Sequence, residues 1–534
     1  MITRRIDNLT KHLRDTINND KQTESEIQLV STHIRKEITE LTRLTHQRNR
    51  DHLAAVDAAE GEKIGKTWSN RHEVSKPRDT IMRLKTSEEG ATTSDPKEMA
   101  TRAAEYHEEI QSQGLDPRAN RVEEERERIL GLLRARLSDK SKVSLGQRIS
   151  ELEVRQAIVK TNREKAPGLD GILIELWKSL DDQYREAVKK GAPRNKCNVV
   201  WVLTQVYQDI EEFGIDTEAG FNQGCMTPIY KKKDPEDITN YRPITLLNTD
   251  YKVYTKAISM RLADIVPEVV NADQAGFMSG RSIFDQVKTT KLVIEYMGRT
   301  SKKGAIIALD QEKAYDKITH HYLWQVMRTF GFPEKFIGTI AALYTGVTTR
   351  VLINGELSPP YPVSRGVRQG DPLSCLLFNL AIELLAEYIR QTDHISGIPI
   401  PGKRTHLKIK LFADDTTVFL SENDEVENLQ KMLDGWCMAS GAKFNIDKTE
   451  IIPVGNETQR QEIRREGKLN ERGQTLPRHI HIAKDSEPVR ILGAWLGNGI
   501  DQATTWAPVL EDCCRRLKRW SAAKHSLEGR RLIL

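Results

Sequence analysis

Apolar residues recur at helical spacing near the N-terminus and at alternating spacing in the last third of the chain. Ile27, Val30, Ile34, Ile38 and Leu41 share one helical face, which predicts a short amphipathic or coiled-coil stripe. Gly, Thr and Ser then cluster before Asp95-Pro96, a start signal for the next helix. Residues 122–137 predict a charged helix with one apolar face, and Ser150-Glu151-Leu152-Glu153 reads as a capping box opening another. Beyond it helices and strands mix. Lys165 to Gly171 is a turn-rich loop, residues 227–247 mix basic and apolar positions, and Ala305 to Leu309 reads as a short buried strand. Asp371-Pro372 opens an amphipathic helix reaching Gln391. Leu407, Ile409 and Leu411 alternate with polar residues and Val418 begins a second strand, so Asp414-Asp415 falls at a hairpin turn. Residues 456–488 are expected to be loop-rich, 479–482 and 489–496 to pair as strands, and 506–534 to form a basic amphipathic helix. The fold class expected is α+β, an antiparallel sheet flanked by helices.

At 534 residues the chain has room for a large core and several subdomains. Its 81 Lys and Arg against 76 Asp and Glu leave a net charge of +5, compatible with a nucleic-acid partner without requiring one. Cys197, Cys225, Cys375, Cys437, Cys513 and Cys514 form no C-x-x-C and no zinc spacing, which reads as a reduced, intracellular pattern. No apolar run has the length of a membrane span, and Met1 leads into a polar segment rather than a signal peptide.

Two adjacent carboxylates inside an apolar hairpin are costly unless a cation compensates them, and a divalent metal with oxygen ligands is the natural compensation. The chain holds its own control in Asp181-Asp182, within a polar helical stretch that reads as solvated charge. Asp310 ends the apolar run Ile306-Ile307-Ala308-Leu309; paired across a sheet with Asp414-Asp415 it would complete a three-carboxylate cluster for two Mg²⁺ ions. Between them, Gly366 and Gly370 bracket Arg368-Gln369 and would allow close backbone approach to a ligand.

The order of these segments resembles reverse transcriptases of LINE-type (non-LTR) retrotransposons. An Asp with an aromatic five residues on (Asp310, Tyr315), R-G-V-R-Q-G-D-P-L-S from Arg365 and F-A-D-D from Phe412 carry it. Lys165 to Gly171, Tyr230 to Asp234 with Asn240 to Ile244, Gln274 to Phe277 with Gly280 to Ser282, Gly441 to Thr449 and Ile491 to Gly493 resemble further family motifs in the right order. The resemblance implies a right-hand fold of fingers, palm and thumb with a ferredoxin-like antiparallel palm, preceded by a helical arm. It divides the chain into an arm at 1–145, fingers at 146–300, palm at 301–500 and the start of a thumb at 501–534. It implies RNA-directed DNA synthesis from dNTPs on an RNA template and a DNA primer, with two Mg²⁺ ions and Mn²⁺ as a substitute. Asp310, Asp414 and Asp415 would be the catalytic, metal-holding carboxylates, and the Gln311 carbonyl a further metal ligand. Arg242 and one of Lys231, Lys232 and Lys233 would hold the triphosphate. Tyr315 would exclude a 2′-hydroxyl, Gln369 and Gly370 would border the templated pair, and Lys448 would lie near the pyrophosphate. Gly276, Phe277, Arg281, Leu492 and Gly493 would contact template or primer.

Relatives in that family carry an endonuclease before the helical linker and continue through a full thumb. Nothing in residues 1–145 resembles the former and the thumb-like segment stops at Leu534, so a fragment lacking both is expected. The family places such a protein in the nucleus or a cytoplasmic ribonucleoprotein, the mitochondrion remaining open. No obligatory protein partner is evident, although the N-terminal helices could self-associate. Two rivals stand beside the polymerase: an inactive element remnant that at most binds nucleic acid, and a binding module working through the N-terminal helices.

Overall fold

The computed structural model describes residues 80–521 except 87–90, 114–118, 193–195, 301, 403, 472, 474 and 477–479, with scattered positions between 5 and 41. The chain divides into two compact units, Pro77–Thr505 and a second made of Met1–Lys76 with Trp506–Leu534. In the latter, Ile34 is buried as the stripe requires, and Arg5 pairs with Glu37 at 2.9 Å. Ile27, Ile38 and the residues after 521 lie outside the described set. Among the described residues no helix is long and apolar enough to cross a membrane, and all six cysteines are free thiols.

Helix α1 (Pro96–Ser112) starts where its signal stands: the Asp95 carboxylate accepts from the Glu98 amide, and Pro96 occupies a position whose N–H needs no partner. Met99, Ala100, Ala103 and Ala104 pack against Ile81, Leu84, Met226 and Val351. Helix α2 (Ala119–Leu130) stops at Leu130 rather than continuing to 137; Gly131 turns the chain, and the Leu137 amide instead donates to the Phe330 carbonyl at 2.9 Å. Helix α3 (Glu151–Lys160) has the full capping box between Ser150 and Glu153. Helix α4 (Ile174–Lys189) corrects one expectation. Asp182 is exposed, but Asp181 is buried because Arg155 on α3 reaches its carboxylate at 3.2 Å.

The remaining elements that frame the site follow in order: β1 (Gly224–Tyr230), β2 (Tyr241–Leu247), α5 (Ile283–Gly298), β3 (Gly304–Gln311), β4 (Thr348–Ile353), α6 (Ser374–Gln391), β5 (Ile409–Phe412), β6 (Asp415–Ser421), β7 (Phe444–Val454), α7 (Glu457–Glu466), β8 (His481–Ile482), β9 (Val489–Ile491) and β10 (Ala494–Leu496). One sheet runs β2-β1-β4 and on to Glu356–Leu357; the larger runs β5-β6-β3-β7-β8. Central β3 is antiparallel to both β6 and β7. Its continuous apolar run has a direct cause: Ala305, Ile307 and Leu309 enter one core, while Ile306 enters a second with Phe419, Ile452 and α5's Val293 and Met297. A strand covered on both faces has no polar alternation to show.

Three further expectations change. Strand β8 pairs in parallel with β7, whereas β9 and β10 form their own hairpin. The polar stretch 456–488 contains α7, opened by a capping box of Asn456 and Gln459 and burying only Ile463. Helix α6 begins at Ser374, because Asp371 is spent on a turn in which its Oδ1 accepts from the Leu373 amide at 3.0 Å.

Candidate active site

The hairpin forms as its pattern predicts. Phe412 faces Asp415, leaving Ala413 and Asp414 as the turn, and Ala413 takes a φ of 56°. A left-handed alanine costs about 1 kcal/mol, so something must hold it. Buried Gln274 does so: its Oε1 accepts from the Ala413 and Gly276 amides, both at 2.8 Å, and its Nε2 donates to the Ala413 carbonyl at 3.3 Å. Gly276 lies so close that a Cβ there would meet the Ala413 nitrogen at 2.2 Å. Gly276 therefore braces the turn, rather than leaving room for a ligand, and Gln274 is a site residue that sequence reading placed in a motif without its task. Neighbouring Phe277 is 54% exposed and lines the cleft in front of the turn.

Asp310 closes β3. Thr416 faces Leu309, so Asp415 and Asp310 lie at the same end of adjacent strands. On the other side the register slips between Asn445 and Glu450, and the bulged residues include Lys448, whose Nζ stands 3.2 Å from Asp310 Oδ2. Among the described residues no three His, Cys, Asp or Glu side chains gather closely enough to hold a metal ion. In this arrangement Lys448 is the cation that stands against the Asp310 carboxylate. The electrostatic coupling remains. Dehydration, then Asp310, pushes the Asp414 carboxyl up against the pull of Lys231 and Arg242. Asp415 is exposed, yet protein crowds it enough that dehydration, then Asp414 and Asp310, push it up to about 6.

Asp310, Asp414, Gln311, Tyr315, Gln369, Gly370, Lys231, Arg242 and Lys448 share one cleft of about 570 Å³. Lys231 and Arg242 enter it from the β1–β2 hairpin, and partial burial, then Arg242, Lys232 and Lys448, press the Lys231 ammonium down. Gln311 Nε2 donates to the Asp414 carbonyl at 3.4 Å. The Tyr315 ring stacks on Phe378, centroids 4.7 Å apart, so it is both a core aromatic and a cleft wall.

Other expected residues lie outside this cleft. Lys232 and Lys233 are exposed, and Lys233 is a turn residue with φ 76° whose carbonyl accepts from the Tyr230 hydroxyl. Arg281 is occupied by the carbonyls of Val270, Asn271 and Gln274. Leu492 and Gly493, with φ of 53° and 80°, are the turn of the β9–β10 hairpin.

The glycines of the 365–371 loop approach the protein's own backbone instead of a ligand. A Cβ on Gly366 would lie 2.6 Å from the Tyr315 carbonyl oxygen, and one on Gly370 2.2 Å from that of Thr245. Between them Arg368, unassigned by motif, is buried over the Tyr251 ring at 4.6 Å and donates to the Asn222 carbonyl at 2.6 Å. Asp371 accepts from the Tyr251 hydroxyl at 3.0 Å. Only the pairing of a buried Arg with Tyr251 and Asp371 from separate segments reveals this brace.

Residues 230–496 match the family described as reverse transcriptase (RNA-dependent DNA polymerase). The chain is 29% identical over 460 residues to the transposon TX1 uncharacterized 149 kDa protein of Xenopus laevis, covering 84% of this chain and 32% of that protein. It is 28% identical over 225 residues to the Pol polyprotein of type-2 retrotransposable element R2DM of Drosophila melanogaster, covering 42% and 20%. A probable RNA-directed DNA polymerase from transposon BS of the same organism is 24% identical over 307 residues, covering 56% and 31%. The chain thus spans about a third or less of each relative's length.

Proposed function

Because the chain belongs to the reverse transcriptase (RNA-dependent DNA polymerase) family, whose match covers half of it, we propose that its cleft copies RNA into DNA for a non-LTR, LINE-type retrotransposon. One observation carries the reading: Asp310 and Asp414, from distant segments, line one cleft with Lys231 and Arg242, and Asp415 lies beside them at the same sheet end. The β5-β6-β3-β7-β8 sheet would be the palm, the β1–β2 hairpin part of the fingers, and the helix from Gln502 the start of a thumb.

The donor set suits a hard divalent cation: Asp310, Asp414 and Asp415, with the Gln311 carbonyl, offer oxygen alone, and crowding of like charge favours a cation there. Mg²⁺, or Mn²⁺ in its place, would supply activation of the primer 3′-hydroxyl and charge neutralisation at the leaving pyrophosphate. Lys231 and Arg242 would bind the triphosphate as fixed cationic donors. Tyr315, held flat by Phe378, would sit beneath the sugar and exclude a 2′-hydroxyl. Gln369 and Gly370 would border the templated base, and Phe277 would stack against template. Lys448, in the same cleft, would meet the pyrophosphate when it leaves Asp310.

The Lys448–Asp310 pair also favours a second reading, a chain that binds primer–template without extending it. Primer extension on poly(rA)/oligo(dT) with dTTP separates them. Product that requires Mg²⁺ or Mn²⁺ supports the polymerase. Primer–template bound but unextended at every concentration of either metal supports the silent binder.

A further inference from the structure

Helix α1 precedes the family-matched residues 230–496, yet its last turn is bonded to the loop that borders the cleft. Gln111 Oε1 accepts from the backbone amides of Ser364 and Arg365 at 3.0 and 3.1 Å. In return, the buried Arg365 guanidinium donates to the carbonyls of Ile110 and Gln113 at the helix's C-terminal end, where the partial negative charge of the helix favours a cation. One turn earlier, the Tyr106 ring lies 4.0 Å beneath the Lys313 ammonium, in the segment between Asp310 and Tyr315. The loop's next two amides are also taken: Gly366 donates to Ile318 and Val367 to the Tyr315 carbonyl, each at 2.7 Å. Every amide from Ser364 to Val367 therefore has a fixed acceptor, and α1 supplies the first two. A loop with glycines at both ends has many conformers open to it, so these acceptors select one.

We propose that α1 is a positioning element of the nucleotide site: Gln111 and the helix's terminal carbonyls hold the Ser364–Gly370 loop so that Gln369 and Gly370 meet the templated base in register. This rests on the polymerase reading above. Gln111 touches neither substrate nor metal in that reading; it acts through the loop.

The test compares Gln111→Met, which keeps the length but loses the acceptor, with Gln111→Glu, which keeps it. Hydrogen exchange on the full chain reads the loop without catalysis, and primer extension reads the consequence. In Gln111→Met the Ser364 and Arg365 amides should lose protection about tenfold, and dNTP KM should rise about tenfold with kcat within about threefold. Gln111→Glu should restore both. If Gln111→Met does not fold, Tyr106→Leu takes the ring from Lys313 without touching the loop amides and should raise KM about threefold. Unchanged amide protection in Gln111→Met, unchanged KM in an active enzyme, or a Glu variant as impaired as Met overturns the positioning role alone. A wild type that makes no product overturns the polymerase reading and the positioning role with it, even where amide protection behaves as expected.

Discussion

Asp181 and Asp182 lie on helix α4, where consecutive residues point about 100° apart around the axis. One therefore turns inward to Arg155 and the other outward to water. Asp414 and Asp415 lie on a hairpin whose turn is held open by Gln274, and there the two carboxylates stay coupled to each other and to Asp310. The same dipeptide is a buried ion pair beside a free charge in one place and a strained anionic cluster in the other. A single cation of the chain satisfies the first. The second has Lys448, Lys231 and Arg242 around it and still holds its carboxyls above their ordinary range. Stability explains Asp181; it does not explain Asp414 and Asp415, whose raised carboxyls cost the fold and fit the role proposed for them in the polymerase reading.

The comparison breaks most sharply on activity. On the polymerase reading, Asp414→Asn should lower primer extension by about a thousandfold or more with folding intact, because it would remove an oxygen ligand needed only for the reaction. Asp181→Ala should leave kcat and dNTP KM within about twofold in enzyme that folds. Comparable losses in both variants would mean that the two pairs do not differ in kind.

On stability the order reverses. Asp181→Ala leaves Arg155 without its partner beside a buried site and should cost about 2 kcal/mol in urea unfolding. Asp182→Ala should stay within about 0.5 kcal/mol. Equal effects at 181 and 182 would restore the solvated-pair reading of that helix.

The smallest effect has a sign that tests the cluster. A carboxyl whose folded pKa is raised penalises the fold only when ionised: the penalty is absent below about 4 and complete above about 6. In EDTA, Asp415→Asn should therefore stabilise the protein at pH 7, by roughly 0.5 kcal/mol after allowance for solvent screening, and have no effect at pH 3.5. Added Mg²⁺ should stabilise the wild type at pH 7.5 and progressively less as pH falls through about 6, because protons and the cation compete for the same oxygens. A destabilised Asp415→Asn at pH 7 would show that Asp415 is held by the fold and not strained by it.

Much of this is legible in the sequence alone. The β5–β6 hairpin, the apolar run of β3 that leads to Asp310, the capping box at Ser150 and the start of α1 at Asp95 all depend on residues within a turn or a strand of one another, and local chemistry decided them. The resemblance of ordered motifs led to the family that the match over 230–496 supports. Other features had no local signal. Helix α7 is polar along most of its length and declares itself only through Asn456 and Gln459. Strand β8 pairs in parallel with β7, a choice its own two residues do not encode.

The sequence by itself determined which residues could bear charge at the site and where the chain would turn to carry them. Tertiary structure alone decided that Arg155 reaches Asp181, that Lys448 reaches Asp310, that Gln274 and Gly276 brace the Ala413 turn, and that Gln111 of α1 accepts from the Ser364 and Arg365 amides. Each of those contacts joins segments far apart in the chain. Their energies arise only once packing has brought the surfaces together, so no spacing in one dimension records them.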